Sequence, residues 1–459
     1  MTSGHIVCCR LNHFVFLPKH VILKVETDTS VSVSHFKEAG LVGASGEFDS
    51  PQIVIIKKID LTKIFSKEEI GKAVKALSSP AKQFRKNYLP THRYVSCEEL
   101  NALGNYLKDF DLDAYYSSLE SYSLHKYKGV SIEKKNGKFR PLLVPHPSDR
   151  IVFTAAFKPV RKVLEAELLK RSALGIGVVK DKKQVEQTLK SIRREIVAGK
   201  HFVLCLDFKD YFSSINRKRL LISLSKKFQS KKEKALYDLV KRSIHNKISM
   251  NEEFVEKFST LSLEKTGIPQ GLAYSPLLAS YYGLRLDDVV ERVSGKIDVM
   301  GYRYLDDMII LAKSVNDLNL IYKEICNEAS KMQLTLHPLE PGSKTKIVDA
   351  TKEKFDFLGI YFNTDSAYVP EKAVEKFKEV LMREILNEKT VFYDVDLVKK
   401  RFINFVKGWR NYYKTHAREH YLQVVRPELG VWLEKYMTKK RKHKKTQFYK
   451  DHESFLQSW

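Results

Sequence analysis

The sequence predicts an α+β fold, an antiparallel sheet carrying helices, and three stretches of it support that prediction. In Tyr302-Arg303-Tyr304-Leu305-Asp306-Asp307-Met308-Ile309-Ile310-Leu311, two adjacent carboxylates stand between two short apolar runs. Aspartate is a poor strand residue, so the pair belongs at the tight turn of a β-hairpin whose arms are buried. Phe202-Val203-Leu204-Cys205-Leu206-Asp207-Phe208 is a near-continuous apolar run, the pattern of a strand buried on both faces, with Asp207 held at its C-terminal end. After Pro370 the pattern turns helical: Val398, Phe402, Phe405, Trp409, Tyr412 and Tyr413 recur at spacings of three and four.

Two acids at the tip of a hairpin repel one another unless a cation neutralises them, which makes a hard, oxygen-seeking divalent metal the natural guest of Asp306 and Asp307. By itself such a tip is an ordinary surface feature. Asp207 gives it a counterpart. Two strand-borne carboxylate sites converging on one sheet edge suit two-metal phosphoryl transfer, with metals about 3.5–4 Å apart, one activating a hydroxyl and one stabilising the leaving group. The plainer alternative is that Asp207 caps the turn into the next helix.

Between these acids lies Thr266-Gly267-Ile268-Pro269-Gln270-Gly271-Leu272-Ala273-Tyr274-Ser275-Pro276. Together with Asp207-Phe208-Lys209-Asp210-Tyr211-Phe212 and Tyr304-Leu305-Asp306-Asp307, and in this order, the run closely resembles the motifs of reverse transcriptases. The resemblance implies a right-hand polymerase: an antiparallel palm sheet, fingers and a helical thumb. It implies that Asp207, Asp306 and Asp307 hold two Mg2+ ions, that the Phe208 carbonyl assists, and that Gln270 lies near the incoming nucleotide. In physical terms, Gly267 and Gly271 are expected to let backbone pass close to a base pair, Pro269 stiffens the bend, and Gln270 offers both donor and acceptor.

Asn136-Gly137, between two alternating segments in Ile132–Pro145, is a strong hairpin signal and would present Lys134, Lys135, Lys138 and Arg140 together. Such a hairpin is commonly just a solvated face. In the family the equivalent face closes over the triphosphate, so the resemblance makes Lys138 and Arg140 phosphate contacts; the planar fork of Arg140 can engage two oxygens at once. Phe212, five positions after Asp207, stands where reverse transcriptases carry an aromatic ring that excludes a ribose 2′-hydroxyl. Core packing is the alternative role for that ring. Gly342-Ser343-Lys344-Thr345-Lys346-Ile347 resembles the Lys-Thr segment beside the palm of bacterial reverse transcriptases, which makes Lys344 a candidate to aid the leaving pyrophosphate, with Lys346 competing. Phe355–Phe362 resembles the hairpin that grips the primer end, with Phe357, Leu358 and Gly359 at the grip.

A second acidic pair, Asp287-Asp288, falls in a helical pattern and is expected to be solvated and without a catalytic role. Residues 1–95 contain a strand, Gln52-Ile53-Val54-Ile55-Ile56, and a helix opened by Ser66-x-x-Glu69, and match no family motif; their role is open. A second capping pattern, Ser96-x-x-Glu99, opens the fingers and palm, assigned to 96–365. Residues 366–459 make the thumb and a basic C-terminal tail. There the apolar stripe packs as core, while Lys407, Arg410 and Lys414 around it are expected to grip a nucleic-acid backbone. Lys439, Lys440, Arg441 and Lys442 begin a cationic tract whose mutual repulsion predicts a mobile phosphate-binding tail. The run Phe405–Tyr413 resembles thumb helices of group II intron and related bacterial reverse transcriptases.

Composition agrees. The 459 residues carry 80 Lys plus Arg against 55 Asp plus Glu, and a net charge of +25 favours a polyanionic partner such as nucleic acid. Cys8, Cys9, Cys97, Cys205 and Cys326 show neither zinc spacing nor a disulfide framework. No apolar run approaches about 18 residues, so no membrane partner is expected and a cytoplasmic location is. The expected function is RNA-directed DNA polymerisation from deoxynucleoside triphosphates on an RNA template, giving a DNA product; homo-oligomerisation is left open. Among subtypes, the sequence resembles the stand-alone, defence-associated bacterial enzymes that copy a structured noncoding RNA in anti-phage immunity. Two alternatives stay open: a retron-type or intron-derived enzyme, and a maturase-like RNA-binding protein with a vestigial polymerase site.

Overall fold

The computed structural model describes residues 14–16, 22–25, 53–56, 58–85, 97–133, 137, 139–170, 182–258, 266–382 and 395–443. In chain order, β1 (Phe14–Phe16), β2 (Ile22–Val25) and β3 (Ile53–Ile56) form a three-stranded sheet. Helix α1 (Lys67–Arg85) follows, opened by the predicted capping box: the Glu69 amide donates to Ser66 Oγ at 3.2 Å and the Ser66 amide to Glu69 Oε2 at 2.9 Å. Helix α2 (Cys97–Tyr106) begins where the second capping pattern puts it, although Ser96 lies outside the described residues. Then come α3 (Leu112–Ser118) and the antiparallel hairpin β4 (Tyr127–Glu133) and β5 (Phe139–Val144). The long helix α4 (Pro147–Lys170) and the amphipathic α5 (Lys182–Val197) lead to the central sheet.

That sheet has four strands in the order β12, β6, β10, β9, where β6 is Phe202–Leu206, β9 Val299–Tyr304, β10 Asp307–Ala312 and β12 Lys346–Asp349. All its neighbours are antiparallel. Between β6 and β9 the chain forms β7 (Phe208–Lys209), the short α6 (Tyr211–Ser214), α7 (Arg217–Ser225), α8 (Lys231–Ile244), β8 (Ile248–Ser249), α9 (Glu252–Phe258) and the 20-residue α10 (Ser275–Ser294). After β10 come α11 (Val315–Lys331) and β11 (Thr335–Leu336), which pairs with β7. A small sheet of β13 (Phe355–Phe357), β14 (Ile360–Phe362) and β15 (Ala367–Tyr368) precedes α12 (Glu371–Val380), α13 (Val395–His416) and α14 (Arg426–His443).

Strand alternation sends the central sheet into two separate cores. Leu204, Leu206, Met308 and Ile310 face a large core shared with α4, α10 and α11. Val203, Tyr302, Ile309, Leu311 and Val348 face a second core built with α5, β13, β14, α12 and α13. Burial on both faces is why β6 and β10 read as continuous apolar runs, and each fully buried Leu or Ile contributes roughly 1.5–3 kcal/mol. Leu61, Ile64, Phe65, Ile70 and Ala73 belong to the large core too, so this part of the N-terminal region packs with the sheet-bearing body. In the second core Phe377 stacks on Phe405 (5.1 Å) and touches Trp409 (4.5 Å), which in turn meets Tyr413 (4.5 Å), so this part of the aromatic stripe is core. Among the described residues, no helix is long and apolar enough to cross a membrane.

The loop ahead of α10 is tied to its surroundings through backbone. The Leu143 amide donates to the Gln270 carbonyl (2.8 Å), Gly267 N–H to Ile215 O (2.9 Å) and Ile268 N–H to Phe212 O (2.9 Å). A requirement for glycine at 267 and 271 is visible within the protein itself, apart from the expected approach to a base pair. Their close approaches are to the protein's own backbone: a Cβ on Gly267 would lie 2.6 Å from Ser213 Cα, and one on Gly271 2.1 Å from Leu143 O, at φ of +73° and +145°. The two glycines let the loop clamp β5 to the segment after β7.

This contrast is testable. Gly271→Ala is expected to destabilise the protein by about 1–3 kcal/mol or more, because carbonyl and Cβ cannot share the space. Gly408→Ala, in α13 with nothing within 4 Å of the added carbon, is expected to stabilise it by about 0.5–1 kcal/mol. Urea unfolding of both variants checks the opposite signs.

Candidate active site

Register sets the acids side by side. Leu206, the last residue of β6, pairs with Met308 of β10, so one residue further Asp207 leaves β6 beside Asp307, the first residue of β10. Asp307 pairs with Tyr304, and the turn between β9 and β10 is Leu305-Asp306. Only Asp306 therefore lies in the turn; Asp307 opens the strand. The turn needs Leu305 at a φ of +60°, a left-handed conformation that costs a non-glycine residue about 1–2 kcal/mol.

The electrostatics are those of crowded carboxylates. Desolvation, followed by the charge of Asp207, raises the Asp306 carboxyl above its ordinary value, against the opposing pull of Arg140 and Lys344. Asp307 reaches solvent, yet the protein around its carboxyl, then Asp306, Asp207 and Asp356 in that order, push it up to about 7. Asp207 has close partners: the Lys344 ammonium Nζ is 2.7 Å and the His337 imidazole Nε2 3.3 Å from Asp207 Oδ2. Its backbone is fixed as well, since the Asp207 amide donates to Thr345 Oγ1 (3.3 Å) and its carbonyl accepts from the His337 amide (3.0 Å). Asp207 thus ends a strand rather than capping a helix.

Among the described residues, no three His, Cys, Asp or Glu side chains stand close enough together to hold a metal ion, and the Lys344 ammonium sits on Asp207. The donor chemistry nevertheless fits a hard divalent cation: carboxylate oxygens at one sheet edge, two of them held above their ordinary pKa by desolvation and by neighbouring carboxylates. A cation arriving there would relieve that repulsion.

The structure sorts the remaining candidates. Lys344 reaches Asp207, whereas Lys346 points to Glu353 at 4.0 Å. Arg140, half-buried and paired with Ile132 across the β4–β5 hairpin, is within electrostatic reach of Asp306; Lys138 lies outside the described residues. Gln270, half-buried, lines a small cleft with Pro141 and Ser213. Phe212, beside Ser213, is half-buried and packs on the large core, so the ring has a packing role whatever else it does. Phe208 is buried, paired with Leu336.

The β13–β14 hairpin turns through Leu358 and Gly359, both left-handed at φ of +53° and +75°, between the buried Phe357 and Ile360. Tyr412 of α13 donates its hydroxyl to Leu358 O at 2.6 Å, tying the helix to that turn. The same hairpin brings Asp356 within electrostatic reach of Asp307. Lys407 and Lys414 are exposed on α13, and Arg410 is half-buried. Lys439, Lys440, Arg441 and Lys442 continue α14 as helix; their side chains, and the cationic tract beyond His443, lie outside what the structure describes. A correction concerns Asp287. It is fully buried, not solvated, and is paired with the equally buried Arg303. The sequence held a signal for this: Arg303 interrupts a strand whose neighbours are apolar, and a cation buried there requires a carboxylate partner.

A family model described as reverse transcriptase (RNA-dependent DNA polymerase) matches residues 132–362, half of the chain. The group II intron-encoded protein LtrA of Lactococcus lactis subsp. cremoris is 26% identical over 238 residues, which is 51% of this chain and 35% of that protein. The chain thus spans about a third of the curated relative it matches. Solved structures of telomerase are also similar. The one from Candida albicans, in complex with a fragment of telomeric RNA, has a TM-score of 0.43 at 14% identity, over 79% of this chain and 62% of that one. A truncated apo telomerase from Candida tropicalis has a TM-score of 0.41 at 16% identity, over 53% and 55%. The matched segment runs from the β4–β5 hairpin through the acids at the ends of β6 and β9 to the close of β14, and by that match the chain belongs to the reverse transcriptase family.

Proposed function

We propose that this protein is an RNA-directed DNA polymerase whose catalytic acids are Asp207, Asp306 and Asp307. The observation that carries the reading is the register of β6 on β10, which sets a carboxylate at the end of one buried strand beside two more at the hairpin, within the matched family segment. These three residues, with the Phe208 carbonyl, would hold two Mg2+ ions. When bound, the metal supplies Lewis-acid activation of the primer hydroxyl and neutralises charge on the leaving pyrophosphate.

The chain's own groups supply the rest. Arg140, and with it Lys138, contacts the triphosphate. Gln270, on the wall of its cleft, orients the incoming nucleotide. Lys344 carries positive charge to the same edge, where it can pass from Asp207 to the pyrophosphate. Phe357, Leu358 and Gly359 seat the primer end, held by Tyr412. Lys407, Arg410, Lys414 and the cations from Lys439 to Lys442 hold the nucleic-acid backbone, in line with the net charge of +25. The template proposed is a structured noncoding RNA copied in anti-phage defence, in the cytoplasm, a reading supported by resemblance to stand-alone bacterial enzymes. Sequencing the RNA that co-purifies with the protein, and the DNA made from it, tests this: a random RNA population and untemplated product would overturn it.

Two substitutions test the chemistry. Asp207→Asn or Asp306→Asn keeps the shape of the side chain and removes its charge, so primer extension is expected to fall at least a hundredfold, roughly 3 kcal/mol, while folding survives. Extension near the wild-type rate in both variants would refute the assignment. Phe212→Ala removes the ring assigned to sugar choice. On a defined RNA template, the preference for a deoxynucleotide over its ribonucleotide is expected to drop sharply. The ring also packs, so circular dichroism must accompany the kinetics; an unchanged preference ratio in a folded variant would reduce Phe212 to core.

A further inference from the structure

Arg303 and Asp287 are both fully buried, and their contact is bidentate: Nε donates to Asp287 Oδ1 at 2.6 Å and Nη2 to Asp287 Oδ2 at 2.5 Å. A buried ion pair seldom stabilises a fold more than apolar side chains of the same volume would, because both ions must first be stripped of water. Some further use of the pair is therefore to be sought in what else the guanidinium touches. Nη1 donates to Leu305 O at 3.0 Å, and Nη2 also donates to Ser280 O at 3.2 Å. Leu305 is the left-handed residue of the turn that presents Asp306. The helix α10 thus reaches, through Asp287 and Arg303, the one strained peptide in the acidic hairpin.

Room for this arrangement is made by Gly283 on α10. A Cβ there would lie 2.6 Å from Arg303 Nη1, 2.8 Å from Arg303 Cζ and 2.8 Å from the Tyr211 hydroxyl. The nitrogen it would strike is the one that holds Leu305. Tyr211 is itself buried and donates to Ala279 O at 2.9 Å, so neither neighbour has solvent to move into.

We propose that Arg303, aimed by Asp287 and given space by Gly283, is a positioning residue that locks the Leu305 turn and so fixes the direction of Asp306 toward Asp207. The bond to Leu305 O offsets the left-handed strain, and the second arm to Asp287 prevents the guanidinium from rotating away. A monodentate lysine cannot reach both groups at once. This inference rests on the polymerase reading for its kinetic consequence, but not for its structural one.

The test separates positioning from stability. Asp287→Leu combined with Arg303→Met removes both charges together and leaves an apolar filling, so the double variant is expected to stay folded. Gly283→Ala keeps both charges and displaces the guanidinium. In each, amide exchange across residues 302–310, followed by mass spectrometry, is expected to speed up at least tenfold relative to wild type and out of proportion to the rest of the central sheet, with duplex affinity little changed; the melting temperature stays near wild type in the double variant and falls in Gly283→Ala, where the added carbon is crowded. Single-turnover extension on pre-bound primer–template should fall at least tenfold. Wild-type exchange in the folded double variant and in Gly283→Ala would overturn the proposal, whatever the activity. If wild type itself extends no primer, the polymerase reading fails, while faster exchange in the variants still supports the lock. Should the double variant not fold, Gly283→Ala and Arg303→Lys, which retains the charge, decide the matter by the same exchange measurement.

Discussion

With Leu206 set opposite Met308, Asp207 and Asp307 emerge together from a sheet whose two faces are each covered by a hydrophobic core. Much of the site hangs on that register. A slip of one residue would exchange the two faces of β10, sending Met308 and Ile310 into the wrong core, and would carry Asp307 out of step with Asp207. Because both faces are buried, such a slip is opposed along the whole strand. The position of the acids is thereby guaranteed by apolar packing, to which they contribute nothing.

What packing imposes, electrostatics resists. Asp306 and Asp307 are held where desolvation and neighbouring carboxylates raise their pKa values, and the fold relieves this only in part, through Lys344 against Asp207 and the distant pull of Arg140 and Lys344 on Asp306. A group of acids kept together against their own repulsion is a site prepared for positive charge. That preparation costs stability, and it is localised: the strands behind the acids, with Leu204, Ile309, Ile310 and Leu311 fully inaccessible, are apolar.

The loop and turns around this edge are held by their backbone amides and carbonyls. The 266–272 loop is clamped between β5 and the segment after β7 by amide–carbonyl bonds that only glycine permits at 267 and 271. The β13–β14 turn is held through its Leu358 carbonyl by Tyr412, and the acidic turn through its Leu305 carbonyl by Arg303. In both turns a leucine is left-handed, and in both a donor from a separate element takes its carbonyl. Strain at each is thus stabilised from outside the hairpin, so helix placement and site geometry are coupled.

The sequence by itself determined the hairpin from Tyr302 to Leu311, the doubly buried strand at 202–206 and the capped start at Ser66, because each is written in local periodicity and turn chemistry that neighbours in the chain suffice to decode; the hairpin at 355–362 was legible only through the family resemblance. It also singled out Asp207, Asp306 and Asp307. It did not show that Asp287 is buried, since a carboxylate in a helical pattern looks the same whether it meets water or Arg303. Nor did it show that Gly267 and Gly271 face backbone, that the cations of 439–442 extend a helix, or that Lys344 rather than Lys346 meets Asp207. Each of those depends on a partner many residues away, and only the tertiary structure, by choosing which distant groups share one space, could decide them.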